Sequence, residues 1–351
     1  MVGRALDGQE RGSMVAEAGY FAIEMLVVAF AGGAIGAAIG GMAALSLSGL
    51  ALVVGEVANA ASGAATGSPA AFELTSLVGY GPALGPHVAF AGGVAAAAYL
   101  GRHEESDSFP YHRAKDIFTP NGAQVDALLA GGAFGVIGYW LAALARTLTL
   151  PVDPVMASVV VSGLLARIAF GYPLVGSIRD GLLDMSPYER REIRTALEGH
   201  EDGEVTRLAV EPWAPQQHRW LQTVLLGLVV GIFAAYVTYV TQRYYLAFGI
   251  TLVLLGLSVA GVDRLPIVHH IAFPASIVAL SMPGFGIEVA LGLGAGFGLA
   301  SALLAEFGGR VLYAHADTHV DPPAIAIVVT TLAIGVLTTA GIFEQGLIPA
   351  I

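Results

Sequence analysis

The sequence predicts an all-α polytopic integral membrane protein with about ten transmembrane helices, arranged as two inverted five-helix repeats. Three observations carry this prediction. Of the 351 residues, 56% are hydrophobic and only 12% are charged, whereas water-soluble domains carry about 25% charged residues. Apolar runs of membrane-spanning length recur along the chain. Two stretches also repeat the same pattern of residues, which indicates an internal duplication.

The duplication is visible in two short motifs that occur in the same order in each half. Residues 87–90 (HVAF) precede residues 152–154 (VDP), and residues 270–273 (HIAF) precede residues 320–322 (VDP). Between the two motifs each half has an apolar run with a Phe-Gly pair, Phe134-Gly135 or Phe297-Gly298. Many secondary transporters are built from such duplicated sets of helices.

Apolar runs between polar breaks give five helices in each half. In the first half they cover 20–39, 42–60, 86–100, 125–145 and 154–171, and in the second half 220–240, 244–262, 266–282, 286–307 and 322–343. The third run is short for a bilayer and follows two prolines, so region 72–100 is expected to be broken or re-entrant. The predicted organisation is a tail (1–16), a first repeat (17–172), a polar linker (173–218) with a short amphipathic helix at 187–194, and a second repeat (219–351).

An odd number of helices per repeat turns the second repeat upside down relative to the first, and the basic residues agree with this. Eleven of the sixteen Lys and Arg residues lie on one face, in the linker and in the loops after the third, seventh and ninth helices: Arg102, Arg113, Lys115, Arg179, Arg190, Arg191, Arg194, Arg207, Arg219, Arg264 and Arg310. The positive-inside rule then makes the linker cytoplasmic and puts both termini outside a multi-pass cell-membrane protein.

Glycine-rich packing is predicted for the first helix. Gly32, Gly36 and Gly40 repeat at a spacing of four, which lets a neighbouring backbone approach closely. The spacing is typical of helix packing and does not by itself indicate a binding site.

The duplicated motifs supply the predicted ion or substrate pathway. Asp153 and Asp321 each precede a proline, an ideal helix start that structure alone explains, but a carboxylate at membrane depth also binds a proton or Na⁺. His87 and His270 each lie where an apolar helix leaves an irregular turn, either as interfacial hydrogen-bonding groups or as proton relays. Glu24 joins this set because it interrupts the first apolar run.

Other carboxylates lie within or beside apolar runs and are interpreted as interfacial: Glu56, Glu73, Glu288, Glu306 and Glu344. A separate metal hypothesis rests on the segment HADTHVD, in which His315, Asp317 and His319 alternate. The alternative is a solvated loop, because the first half has nothing comparable before Asp153.

Several function classes are excluded or receive no support. The chain has no cysteine, so no disulfide or thiolate metal site forms. No nucleotide-binding or zinc-protease motif has the required spacing, and no cofactor is predicted. The net charge of −11 and the lack of a basic patch argue against nucleic-acid binding. Fifteen Arg against one Lys, in an acidic chain, fit a halophilic source or an ordinary acidic protein from a GC-rich genome.

Residues 32–40 (GGAIGAAIG), with 85–87 (GPH) and 90–93 (FAGG), resemble an uncharacterised family of multi-spanning bacterial and archaeal membrane proteins. The resemblance covers the first half, through about Gly171, and implies no activity. The opening helix is also similar to that of tripartite tricarboxylate carrier membrane subunits, which implies carboxylate transport. The five-plus-five count is similar to leucine-transporter-type carriers in architecture alone.

The leading functional hypothesis is a secondary transporter of a small solute or ion, coupled to H⁺ or Na⁺ and working by alternating access between the repeats. The alternatives are a channel, or a membrane-embedded metal-dependent enzyme or assembly factor that uses residues 315–321. The expected partners are the lipid bilayer and a small solute or ion, and a homo-oligomer is left open.

Overall fold

The computed structural model describes residues 21–66, 73–103, 111–194 and 207–346. These residues are all-helical and contain no strand, apart from one isolated bridge between Ile193 and Leu208. The helices are α1 (Ile23–Ile39), α2 (Gly41–Thr66), α3 (Pro86–Leu100), α4 (Val125–Thr147), α5 (Pro154–Ala169), α6 (Trp220–Thr241), α7 (Tyr244–Val259), α8 (His269–Ala279), α9 (Ile287–Leu312) and α10 (Pro322–Thr339).

Five of these helices are long and apolar enough to cross a membrane: α2, α4, α6, α9 and α10. The helices α1, α3, α5 and α7 are shorter but apolar. Many large apolar side chains on the long helices are exposed at the molecular surface, among them Leu225 and Val229 on α6. A water-soluble fold would bury such side chains, so this surface suits lipid.

The helix bounds differ from the sequence prediction at a few informative places. Helix α9 continues past Gly308 and Gly309 to Leu312, because these glycines let Ile325 and Trp213 pack directly against the helix backbone. Helix α8 starts only at His269, after an extended segment that includes Pro266. The prediction of an amphipathic helix at 187–194 is wrong. Only one turn forms, Ser186–Glu189, and Arg191 has a left-handed φ of 53°.

Region 73–100 is broken in two, as its prolines indicated. A π-helical turn, Thr75–Gly79, is followed by an irregular stretch, and α3 then begins with a second π-helical turn, Pro86–Phe90. All but one of the α3 residues are buried, so this short helix lies inside the bundle. Residue 72, at which the expected broken or re-entrant region begins, and the tail 1–16 lie outside the described residues.

The same helix pairs are in contact in both halves of the chain. Helix α1 packs on α4, α4 on α3 and α5, and α3 on α1; likewise α6 packs on α9, α9 on α8 and α10, and α8 on α6. The likeness extends to single atoms. A Cβ on Gly131 would lie 2.7 Å from the Gly33 carbonyl oxygen and against Ala37, and a Cβ on Gly294 would lie 2.8 Å from the Gly231 carbonyl oxygen and against Ala235.

Among the described residues, two pairs of corresponding helices make the main contacts between the halves, and the first of them is α2 with α7. A Cβ on Gly49 would lie 2.9 Å from the Gly249 carbonyl oxygen and against Leu252, and a Cβ on Gly249 would lie 3.1 Å from both the Gly49 carbonyl oxygen and Leu52 Cβ. Residue i of one helix thus contacts residue j of the other, and the reverse holds, as in an isologous interface. Gly256 lies beside Ser46, whereas Gly249 lies beside Leu52. Higher residue numbers on α7 thus pair with lower ones on α2, so the two helices run antiparallel.

The second pair that joins the halves is α5 with α10. The Asp153 backbone N–H, at the start of α5, donates to the Thr331 hydroxyl on α10 at 3.0 Å. A Cβ on Gly163, in α5, would lie 3.7 Å from Val320 Cα, just before α10. Thr331 and Gly163 each lie ten residues after the Asp that starts their own helix. These helices are therefore also antiparallel, with the start of each beside the middle of the other.

Candidate functional site

The bundle has two ends that differ in chemistry. We call the end that contains 73–85, 148–153 and 241–245 the cleft face, and the end that contains 111–124, 172–194, 207–219 and 313–321 the linker face. The cleft face has an open cleft of about 470 Å³ between α2, the turn at Thr75 and the start of α7, lined by polar and aromatic residues that include Glu56, Asn59, Glu73, Thr75, Arg243, Tyr244 and Tyr245.

Glu56 is the most buried carboxylate of the cleft. It lies late in α2, where its Oε1 accepts from the Thr75 hydroxyl at 3.1 Å and its Oε2 lies 3.7 Å from Arg243 Nη1. These two partners explain why a charged residue does not end α2, which runs on to Thr66. Sequence reasoning placed Glu56 at the interface, because Thr75 and Arg243 are distant from it along the chain.

Asp153 lies at the start of α5, and its side chain is fully buried. One carboxylate oxygen, Oδ1, accepts from the Met156 backbone N–H at 2.7 Å and from the Tyr80 hydroxyl at 3.0 Å. The other oxygen, Oδ2, has no hydrogen-bond partner among the described residues. A buried oxygen without a donor is costly unless a proton or cation satisfies it. Asp153 therefore both caps its helix and retains an unused ligand atom.

An aromatic cluster connects Asp153 to the cleft. Tyr245 lines the cleft, and its ring lies 5.1 Å from that of Tyr80, which donates to Asp153. Phe248 and Phe273 complete the cluster around Tyr80, at 6.1 and 6.0 Å. Tyr80 comes from the first half of the chain and the three other rings from the second, so Asp153 lies where the two halves meet. Sequence reasoning missed Tyr80 and Thr331, since neither belongs to the duplicated motifs.

Asp321 starts α10 but has different neighbours. Its Oδ2 accepts from the Ala324 backbone N–H at 2.8 Å, and its Oδ1 lies 3.2 Å from His319 Nε2. Both oxygens thus have partners, one of them a histidine at the linker face. Asp153 and Asp321 share the capping role, and only Asp153 keeps a free oxygen.

His87 and His270 occupy matching places in the two halves. Each ring is buried, and each has an Nδ1 atom without a hydrogen-bond partner among the described residues. The His87 carbonyl lies against Gly138 of α4, where a Cβ would not fit. The His270 carbonyl accepts from the Ser301 hydroxyl of α9 at 2.6 Å. The structure does not bring either histidine into hydrogen-bond contact with Asp153 or Asp321.

Glu24 and the predicted packing glycines lie on α1. Glu24 does not interrupt this helix: α1 begins at Ile23, and the exposed Glu24 lies in its first turn, where the helix dipole favours a carboxylate. A Cβ on Gly32 would collide with the carbonyl of Ala83, in the irregular stretch before α3, and a Cβ on Gly36 would collide with the carbonyl of Ala89, in α3. Gly40 lies between α1 and α2 with a φ of 88°, a turn that favours glycine.

The three residues of the metal hypothesis face different partners. His315 Nδ1 lies 3.4 Å from the Arg179 backbone N–H, and its Nε2 lies 3.2 Å from the Leu182 carbonyl. His319 faces Asp321. Among the described residues no group of three or more His, Asp or Glu side chains is placed to hold a metal ion.

Asp317 is part of an ion-pair network at the linker face. Its Oδ1 accepts from Arg194 at 2.7 Å and from Arg207 at 2.8 Å, and Arg207 also donates to Glu211, whose other oxygen lies 2.5 Å from Lys115 Nζ. Burial alone would raise the pKa of Asp317, but Arg207 and Arg194 outweigh it and hold that pKa well below its usual value.

The Lys115–Glu211 pair is almost fully buried. Burial lowers the pKa of Lys115 to about 8, although Glu211 acts in the opposite direction. The network connects 111–117, the linker and 313–321. Arg167 of α5 joins it, because its guanidinium donates to the Thr318 hydroxyl at 2.7 Å. Sequence reasoning missed this network, because its members are spread over four segments.

Comparison with protein families gives a match over residues 15–351 to a family of unknown function, DUF7973. The chain belongs to this family. The match covers both halves, which extends the resemblance expected for the first half alone and agrees with the expected lack of an assigned activity. No curated protein and no solved structure matches the chain. The likeness to tricarboxylate carriers stays a prediction.

Proposed function

We propose that the protein is a secondary transporter of a small solute or ion, built from two inverted five-helix repeats, α1–α5 and α6–α10. The coupling cation, H⁺ or Na⁺, binds at Asp153, and the solute enters through the cleft. The observation that carries the proposal is the position of Asp153, which is buried between the two halves, has one carboxylate oxygen without a partner, and is linked by Tyr80 to an aromatic wall of the cleft.

The contacts between the halves support inversion over a parallel duplication. Repeats related by an axis in the membrane plane give antiparallel corresponding helices, whereas an axis along the membrane normal gives parallel ones. Both pairs of corresponding helices that join the halves, α2 with α7 and α5 with α10, are antiparallel. The isologous contact of Gly49 and Gly249 fits a two-fold axis that passes between α2 and α7.

The contrast between the two faces favours a carrier over a channel. A channel needs a continuous polar path, but the linker face is closed by buried ion pairs around Glu211 and by Arg167. An open cleft at one face and an ion-paired closure at the other are typical of one state of an alternating-access cycle. The metal-dependent alternative has less support, because Asp317 already neutralises two arginines.

The proposed orientation puts the linker in the cytoplasm and both termini outside the cell membrane, because most basic residues then lie inside. The chain has no native cysteine, so a Ser186→Cys variant gives an unambiguous labelling site. We expect this cysteine to react with an impermeant maleimide in inverted vesicles only. Reaction in intact cells would mean that the orientation is the reverse of the proposed one.

The transport proposal is tested in proteoliposomes with an imposed H⁺ or Na⁺ gradient and a screen of labelled organic anions, amines and inorganic ions. We expect gradient-driven uptake of one solute class, and its loss in Asp153→Asn, since Asn keeps the cap but cannot bind the cation. Asp126→Asn, at an exposed site in the first turn of α4, is the matched control. Folded Asp153→Asn protein with wild-type gradient-driven uptake would rule out the ion site.

His87→Gln and His270→Gln extend the test, because Gln forms hydrogen bonds but cannot carry a proton near neutral pH. If either histidine relays protons, its variant loses H⁺-driven uptake while solute exchange without a gradient persists. Equal loss of both activities would point to a structural role.

A further inference from the structure

A second pocket, of about 460 Å³, lies at the linker face, away from Asp153 and the cleft. It is lined mainly by the linker and by the residues just before α6, including Tyr188, Glu189, Arg191, His218 and Arg219. Neither the transport proposal nor the family match assigns a role to it.

Two arginines beside the pocket make no close side-chain hydrogen bond with the described residues. Arg191 is exposed, and its side chain makes no hydrogen bond or ion pair with the described residues. Arg219 is 68% exposed, and its nearest acidic group, Glu189, is 4.0 Å away. His218 Nδ1 donates to the Pro215 carbonyl at 2.8 Å, so Nε2 of the neutral ring is an acceptor; it is buried in the pocket wall, 3.8 Å from Glu189. Two guanidinium groups beside one pocket suit a phosphate group.

The start of α6 shows at which depth this pocket lies in a membrane. Trp220 is the first residue of α6 and is 43% exposed, and Leu221 beside it is 70% exposed. An exposed tryptophan at the end of an apolar helix marks the level of lipid headgroups. Arg219 and His218 directly precede it, and the N-terminus of α6 adds the positive end of its helix dipole. The pocket therefore opens at headgroup level.

We propose that this pocket binds the phosphate group of an anionic phospholipid from the leaflet at the linker face. The guanidinium groups of Arg191 and Arg219 pair with the phosphate, and Tyr188 forms part of the wall beside it. The lipid thereby anchors the linker to the bilayer. This inference rests on the membrane position of α6 and not on transport, so it stands or falls separately from the ion site.

Glu189 gives the proposal a variant with the opposite sign. Its carboxylate lines the same pocket and lies 4.0 Å from Arg219 Nε, so it competes with a phosphate for this guanidinium group. Glu189→Gln should therefore tighten lipid binding, whereas loss of the arginines should weaken it.

The experiment titrates short-chain phosphatidylglycerol, short-chain phosphatidylcholine and inorganic phosphate into the detergent-solubilised full chain, and follows binding by native mass spectrometry and by the shift in melting temperature. We expect tight binding of phosphatidylglycerol only. One basic residue near an anionic lipid contributes about 1 kcal/mol, so Arg191→Gln with Arg219→Gln should weaken binding about thirtyfold.

Arg264→Gln is the matched control, since Arg264 is an exposed arginine outside the pocket, next to Leu265, whose carbonyl accepts from Gln216 of the linker face. It should bind phosphatidylglycerol like the wild type, and Glu189→Gln should bind it more tightly. Equal binding of phosphatidylcholine, equal protection by inorganic phosphate, or equal loss in Arg264→Gln would each overturn the proposal. The first result would mean no charge selectivity, the second a free-phosphate site and the third a general charge effect.

Discussion

The cleft face and the linker face are formed by helices that correspond in order, but their polar residues differ. At the cleft face Asp153 meets Tyr80 and keeps one oxygen without a partner, whereas at the linker face Asp321 meets His319 and both its oxygens have partners. The glycine contacts of Gly131 and Gly294 and the two aspartate caps are shared, whereas the other partners of the two aspartates differ. The proposed duplication accounts for the shared backbone contacts, and the different polar residues account for the contrast between the two faces.

The faces also differ in how their ion pairs are solvated. Lys115 and Glu211 are buried almost completely, whereas Arg243, the partner of Glu56, is 34% exposed. A buried charge that loses its partner keeps its full desolvation cost, while an exposed one is stabilised by water. The linker face should therefore be more sensitive to charge removal than the cleft face.

The largest effect is expected for Glu211→Gln, which leaves Lys115 buried without a counter-charge. We expect a loss of about 3–5 kcal/mol in the free energy of unfolding. Glu56→Gln is the comparison variant and should cost much less, because solvent reaches Arg243. Denaturant unfolding in detergent, followed by tryptophan fluorescence, measures both. Equal losses would mean that the two faces do not differ in this way.

The next effect tests what the two halves share. Gly131→Ala and Gly294→Ala each insert a methyl group against a glycine carbonyl, of Gly33 and Gly231 respectively, so each should cost about 1–3 kcal/mol and by similar amounts. Gly292→Ala and Gly296→Ala are controls on α9, because a Cβ at either site meets nothing within 4 Å. The same unfolding assay applies. A large loss in one half and none in the other would contradict equivalent packing.

A smaller effect concerns pH at the linker face. Arg207 and Arg194 hold the pKa of Asp317 in the folded protein below the usual pKa of an aspartate. At a pH between the folded pKa and the usual one, the unfolded chain therefore binds more protons than the folded chain. Stability from this group is therefore complete above the usual pKa of an aspartate and is lost as the pH falls toward the folded value. Melting temperatures between neutral pH and pH 3 should fall less steeply for Asp317→Asn than for wild type. If the melting temperatures of the two proteins fall in parallel with pH, Asp317 does not contribute to the loss of stability in acid.

The smallest effect is expected for Asp321→Asn. Asn caps a helix about as well as Asp, and the Ala324 N–H still finds an acceptor, so stability should change by less than about 0.5 kcal/mol. We expect the same substitution at Asp153 to leave stability similar and to remove the proposed cation binding. A melting-temperature series and the uptake assay, run on both variants, separate the two roles. Loss of gradient-driven uptake in both would mean that both faces bind the cation.

The sequence predicted the helices and the capping role of both aspartates, because apolar runs and Asp-Pro pairs are local signals. It did not predict the partners of those aspartates. Tyr80 and Thr331 reach Asp153 through tertiary packing, and the linker-face network joins residues from four segments. One missed signal was available: residues 49–54 (GLALVV) and 249–254 (GITLVL) correspond and mark the contact between α2 and α7.

The most direct test of the inverted arrangement is a disulfide between α2 and α7. A Cβ on Gly256 would lie 3.6 Å from Ser46 Cβ, within the range of natural disulfides, so Ser46→Cys with Gly256→Cys should cross-link in native membranes. Ser46→Cys with Leu246→Cys is the control, since antiparallel helices separate these sites by about 15 Å. Mass spectrometry after mild oxidation identifies the bond. We expect a disulfide in the first pair only, and a disulfide in the control pair with none in the first would mean that α2 and α7 are not antiparallel.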